Sequence, residues 1–159
     1  MSKWHQGTYT VKNPHKYIGK KPPTYRSSWE KAFCVMCDDH PNIIKWASEN
    51  IRIPYVNPLT GKLTNYVPDF MIQYIDKDGR EHVELIEIKP STETTLENAR
   101  STKDKAAVAV NTAKWQAASA WCEQQGIKFK VINEQQIFHK PKGNKAKRQT
   151  RSRVPKKRK

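Results

Sequence analysis

The chain lacks any apolar run approaching the roughly 18 residues needed to cross a bilayer. Its start, Met1-Ser2-Lys3-Trp4-His5, also lacks the apolar region of a secretory signal. Both absences predict a soluble, unsecreted protein. Cysteine is scarce and odd in number (Cys34, Cys37, Cys122), which argues against a disulfide framework. The histidines at 5, 15, 40, 82 and 139 are scattered and form no metal-ligand spacing, and there is no Gly-rich phosphate loop. Cys34 and Cys37 form a C-x-x-C, but without a second ligand pair they read as buried helix residues. Apolar residues make up only 36% of the 159, enough for one domain with part of the chain outside its core.

Acidic residues are missing from both ends. Residues 1–26 carry six Lys/Arg and no Asp/Glu, and residues 139–159 carry eleven and none. The body between them is near neutral, so the net charge of +15 belongs to its flanks. Such flanks suit a polyanion, because each neutralised phosphate releases counterions. The same charge would also serve as a pair of solubilising tails.

Three regions follow: a basic extended arm over 1–26, a domain over 27–138, and a basic tail over 139–159 without core-forming residues. Within the domain, Trp29, Phe33, Met36 and Cys37 recur at helical spacing after Ser27 and predict a helix to Asp39. A second helix is expected from Pro41 to Asn50, then a strand over 51–56, confined to an edge by Pro54. Segments 65–75 and 81–89, rich in Val, Ile, Tyr and Phe, bracket Asp76-Lys77-Asp78-Gly79-Arg80 as a hairpin. Helical sequence runs from Leu96 to Gln125 with Gly126 as its stop, followed by a strand at 127–131 and a short helix at 133–138. The predicted class is α/β, with an αβββαβ core and one mixed four-stranded sheet flanked by helices.

The hairpin can be put in register. With Lys77-Asp78-Gly79 as a three-residue loop and Gly79 left-handed, partner numbers sum to 156 along the ladder, so Asp69 falls opposite Glu87. Lys89, two residues further on, shares that face, as do Met71, Ile75, Val83 and Leu85. Two facing carboxylates on an apolar surface repel one another and are poorly solvated. A divalent cation removes both objections, and hard oxygen ligands suit Mg²⁺ or Mn²⁺. The adjacent lysine can orient water or offset charge in the transition state of phosphodiester hydrolysis. Each piece alone has a plain structural reading: Glu87 in a cross-strand ion pair with Lys89 or Arg80, Pro68-Asp69 as a turn. Glu30 lies on the inward flank of the first helix, where it either reaches a metal held by the sheet or closes a capping box with Ser27.

Val67-Pro68-Asp69-Phe70 followed by Glu87-Ile88-Lys89 resembles the PD-(D/E)XK nuclease superfamily, with its restriction-endonuclease-like core. Tyr25-Arg26-Ser27-Ser28-Trp29-Glu30 resembles the acidic first-helix motif of its TnsA-like and junction-resolvase-like members. The opening Met1 to Gly7, with Asn13-Pro14 and Lys16-Tyr17-Ile18-Gly19, is similar to the T4-like phage head completion nucleases. The resemblance implies a Mg²⁺-dependent nuclease acting on packaged phage DNA in the host cytoplasm, in association with the assembling virion and its portal or head proteins. It implies no small-molecule cofactor and no membrane. Asp69, Glu87 and the backbone carbonyl of Ile88 would hold the metal, with Glu30 as a further acid, and Lys89 would be the catalytic lysine. Lys114 or Gln116 would supply a helper residue on the helix after the third strand. Double-stranded DNA would be held through its phosphates by Arg26 and by Lys140, Lys142, Lys145, Lys147, Arg148, Arg151 and Arg153. The alternatives are a non-enzymatic DNA-binding head-closure protein, and a TnsA-like or junction endonuclease on the same fold.

Overall fold

A computed structural model of the chain describes residues 6–134 and 136. In chain order these form β1 (Gly7–Thr8), a 3-10 turn (Pro14–Lys16), β2 (Thr24–Tyr25), α1 (Ser28–Asp39), β3 (Ile43–Ser48), β4 (Ile53–Val56) and β5 (Leu63–Tyr66). They continue with β6 (Phe70–Ile75), β7 (Glu81–Ile88), a second 3-10 turn (Ser91–Glu93), α2 (Thr102–Gln125) and β8 (Lys128–Ile132). The main sheet has the order β3-β6-β7-β8, with β8 parallel to β7 and the other pairs antiparallel. A mixed four-stranded sheet was expected, but its outer strand is β3 in place of the strand expected over 51–56, which forms β4 outside it. Phe70, Ile72, Ile86 and Ile88 pack with Phe33, Cys34 and Cys37 of α1, while Leu85 and Met71 pack with Ala118 and Cys122 of α2. The period-two alternation of β6 and β7 thus feeds two cores, one under each helix. Among the described residues, no helix is long and apolar enough to cross a membrane.

The caps follow local chemistry. Ser27 accepts the N–H of Glu30 at the start of α1, and Ser101 accepts that of Asp104 at the start of α2. Gly126 ends α2 in the left-handed region (φ 70°), which costs glycine nothing. Helix starts at Thr102, not Leu96: residues 94–100 form turns that lead into the Ser101 cap.

Two further expectations are corrected. The helix expected after Pro41 is the edge strand β3. Its Ile43, Ile44 and Trp46 favour a pleated surface, and pairing with β6 buries Trp46 completely. The strand expected over 65–75 is two strands in different sheets, because Pro68 cannot donate to a ladder. β5 instead pairs with β4 in a separate hairpin whose Pro54 is exposed. The basic arm packs on the domain. Tyr9 is buried, Tyr17 packs edge-on against Trp46, and β1 pairs with β2. Asp38 ties this segment down by accepting from the Tyr9 hydroxyl, the Lys12 and Asn13 N–H groups and the Asn13 side chain. The buried Lys16 ammonium caps the end of α1 by donating to the carbonyls of Asp38 and His40. The expected short helix at 133–138 has helical residues at 134 and 136, and the rest of it lies outside the described residues, as does the tail.

Candidate active site

Register carries the chemistry to one edge of the sheet. Phe70 pairs with Ile86 and Ile75 with Glu81, a constant sum of 156, and Gly79 adopts φ 77° in the loop. Asp69 lies one residue before β6 begins, so it leaves the ladder while remaining beside Glu87. Its carboxylate turns back to accept the N–H of Ile88 at 2.8 Å, and its carbonyl accepts the N–H of Glu49 at 2.9 Å. Glu87, 4% exposed, accepts from the Tyr66 hydroxyl at 2.7 Å and from the Asp69 N–H at 3.3 Å. Lys89 projects the same way, with Nζ 3.8 Å from the other Glu87 oxygen. The three side chains open into a cleft of about 710 Å³. One wall comes from Lys20, Lys21 and Arg26, another from Arg52, Tyr55 and Asn65, and Lys114 reaches in from α2.

The pair is electrostatically unsatisfied. Loss of water pushes the Asp69 carboxyl well above the usual aspartate range, and the charges of Glu87 and then Glu30 push it further. Burial also raises Glu87, against the opposing pull of Tyr66, Lys89 and the Asp69 N–H. Lys114 is held below the ordinary lysine range, first by desolvation and then by Lys89. Its ammonium sits 5.8 Å and 5.6 Å from the ring centres of Tyr55 and Tyr66. Two acids raised by burial thus lie beside two ammonium groups in an open cleft, the kind of grouping that marks functional sites.

Residues 40–134 match the TnsA-like endonuclease N-terminal family, a span that includes the whole sheet and every cleft residue from β3 onward. The chain is also 38% identical over 141 residues to the head completion nuclease of Enterobacteria phage T4, covering 82% of this chain and 91% of that protein. The chain belongs to the TnsA-like endonuclease family. It is a nuclease on a restriction-endonuclease-like fold, and the carboxylate cleft lies inside the matched region.

On this endonuclease scaffold the expected residues are distributed as follows. Asp69, Glu87 and Lys89 are together. Glu30 is buried on α1; its carboxylate accepts from the Arg26 N–H and the Ser27 hydroxyl, one residue short of the backbone bond a capping box would make, and it does not line the cleft, although its charge reaches Asp69. Among the described residues, no three His, Cys, Asp or Glu side chains gather as a metal cluster. Arg26 lines the cleft, largely exposed, in an ion pair with Glu49 at 3.1 Å. Lys114 lines it too, whereas Gln116 is exposed on a different face of α2. Cys34 and Cys37 are buried free thiols, with Cys34 raised to about 12 by burial. Sequence reasoning missed Tyr66, Lys20, Lys21 and Arg52. Tyr66 had no signal, because only the break at Pro68 turns β5 back over Glu87; the lysine pair was visible only as part of the basic end.

Proposed function

We propose that the chain hydrolyses DNA phosphodiester bonds with a divalent cation, Mg²⁺ or Mn²⁺, held by Asp69 and Glu87, and that it does so during phage head completion in the host cytoplasm. The observation that carries this reading is the crowding of two desolvated carboxylates beside Lys89. A cation relieves that repulsion, and its remaining ligands are of the oxygen type that a phosphate and water provide. The Ile88 carbonyl fits as a further ligand. Continuing the register sets Ile88 opposite Pro68, whose nitrogen has no hydrogen to donate to it. When bound, the cation supplies Lewis-acid polarisation of the phosphate and a lowered water pKa.

The chain's own residues do the remainder. Tyr66 and the Asp69 N–H fix the rotamer of Glu87, and the Ile88 N–H fixes Asp69. Lys89 stands where an ammonium can orient the attacking water or offset charge on the phosphorane-like transition state. Lys114, kept partly dry by Tyr55 and Tyr66, is placed to contact the same phosphate. Lys20, Lys21 and Arg26, together with the basic residues from Lys140 to Arg153, would neutralise neighbouring phosphates without reading sequence. The T4 relative is named for completing heads, so portal or head proteins are partners under the same reading.

The test is digestion of linear and circular DNA with and without Mg²⁺ or chelator. Asp69→Ala and Lys89→Ala should each lower cleavage by at least about 100-fold, while folding and DNA binding persist. The cation should raise the melting temperature of the parent but not of Asp69→Ala. Cleavage by either variant at the parent rate would overturn the assignment.

A further inference from the structure

Three of the large aliphatic side chains left in water share one hairpin: Val56 is 55% exposed, Leu59 61% and Leu63 74%. Val56 and Leu63 are cross-strand partners, and so are Pro54 and Asn65 two residues inward, so all four share a face. Asn65 lines the catalytic cleft. The apolar pair lies on the same face as this cleft residue, about 7 Å further along the strands. The opposite face buries Ile53 and Tyr55 against α2, which fixes the hairpin's base.

Its tip is also fixed. Asn57 donates its N–H to the Lys62 carbonyl at 2.9 Å, and its side chain accepts the Leu59 N–H at 2.9 Å. Gly61, at φ 68°, closes the turn, which holds Leu59 outward. Residues 50–68 contain Arg52 and Lys62 and no acid, so this wall matches the acid-free wall of residues 1–26 across the cleft.

We propose that the β4–β5 hairpin is a duplex-docking lip: Val56 and Leu63, with Leu59 at the tip, pack against the apolar sugar walls of a DNA groove beside the scissile phosphate. The inference rests on the nuclease reading for its partner. Duplex DNA is the occupant because the lip adjoins the cleft through Asn65, its own charges, Arg52 and Lys62, are cationic, and the bordering Glu49 is already paired with Arg26. A preset hairpin loses little freedom on docking, and aliphatic side chains commonly work against groove walls in this way. The lip adds affinity that salt does not screen, and it favours duplex over single strand because a single strand has no groove walls.

The experiment compares the parent with Val56→Ser/Leu63→Ser by fluorescence anisotropy on duplex and single-stranded oligonucleotides, in chelator, across a salt series. Both side chains are exposed, and circular dichroism and melting check that the fold is retained. The expected result is roughly tenfold weaker duplex binding at every salt with an unchanged log–log slope, and unchanged single-strand binding. Arg52→Gln, by contrast, should lower the slope by about one. A double variant that binds duplex like the parent would overturn the proposal, giving the lip to a protein neighbour; an equal loss on single strand would overturn it as well. Binding is read without cleavage, so a parent that binds but never cuts refutes the nuclease reading alone.

Discussion

Two buried acid centres in this molecule use the same chemistry to opposite ends. Asp38, at the end of α1, is 1% exposed and collects donors from Tyr9, Lys12 and Asn13. Burial raises its pKa, but these hydrogen bonds outweigh that and hold the carboxyl below its ordinary range. Asp69 and Glu87 have fewer hydrogen-bond donors than oxygens to satisfy; burial raises both, and Asp69 also bears the charge of Glu87. The first centre is complete and ties the N-terminal segment to the core. The second is left short of donors, and it is there that the proposed cation would bind.

The largest effect should come from emptying the complete centre. Asp38→Ala leaves Tyr9 and two backbone N–H groups without an acceptor, and we expect a loss of about 3 kcal/mol or more in chemical denaturation. Relieving the incomplete centre should act in the other direction: metal-free Asp69→Asn should melt above the parent near neutral pH. A carboxyl whose folded pKa is raised costs stability as pH climbs from the unfolded value toward the folded one. The melting gap between variant and parent should therefore open from about pH 4 upward and close in acid. Asp38 has the opposite sign: its contribution is full above the unfolded pKa and is lost as pH falls through the lowered folded one. A gap that stays constant from acid to neutral would mean that Asp69 and Glu87 do not repel. The smallest effect concerns the basic end. Deleting residues 140–159 should weaken duplex binding and flatten its salt dependence while leaving the melting temperature within error; an unchanged slope would show that those cations do not meet phosphate.

The same contrast explains what could be read from sequence. Asp69, Glu87 and Lys89 were legible because a hairpin with one left-handed glycine has a countable register, and that register is the observed one. β6, β7, β8, α1 and most of α2 followed from periodicity and caps. Asp38 was invisible, since its donors lie 25 to 29 residues away in a segment without periodicity. β3 was misread because a short apolar run after Pro41 looks alike as helix or strand until β6 claims it. Glu30 was open on the residues alone; its carboxylate meets the Ser27 hydroxyl and the Arg26 N–H while its charge reaches Asp69, so both of its readings keep an observation.

The direction of the last strand has a consequence for where the chain leaves the fold. β8 must run the same way as β7, since the pair is parallel, and it finishes level with Ile88, where its Ile132 carbonyl accepts the Lys89 N–H. An antiparallel closing strand would have delivered the following residues to the far rim, about 16 Å away at the strand rise. Whatever sequence is appended after Ile132 therefore departs from the doorstep of the cleft.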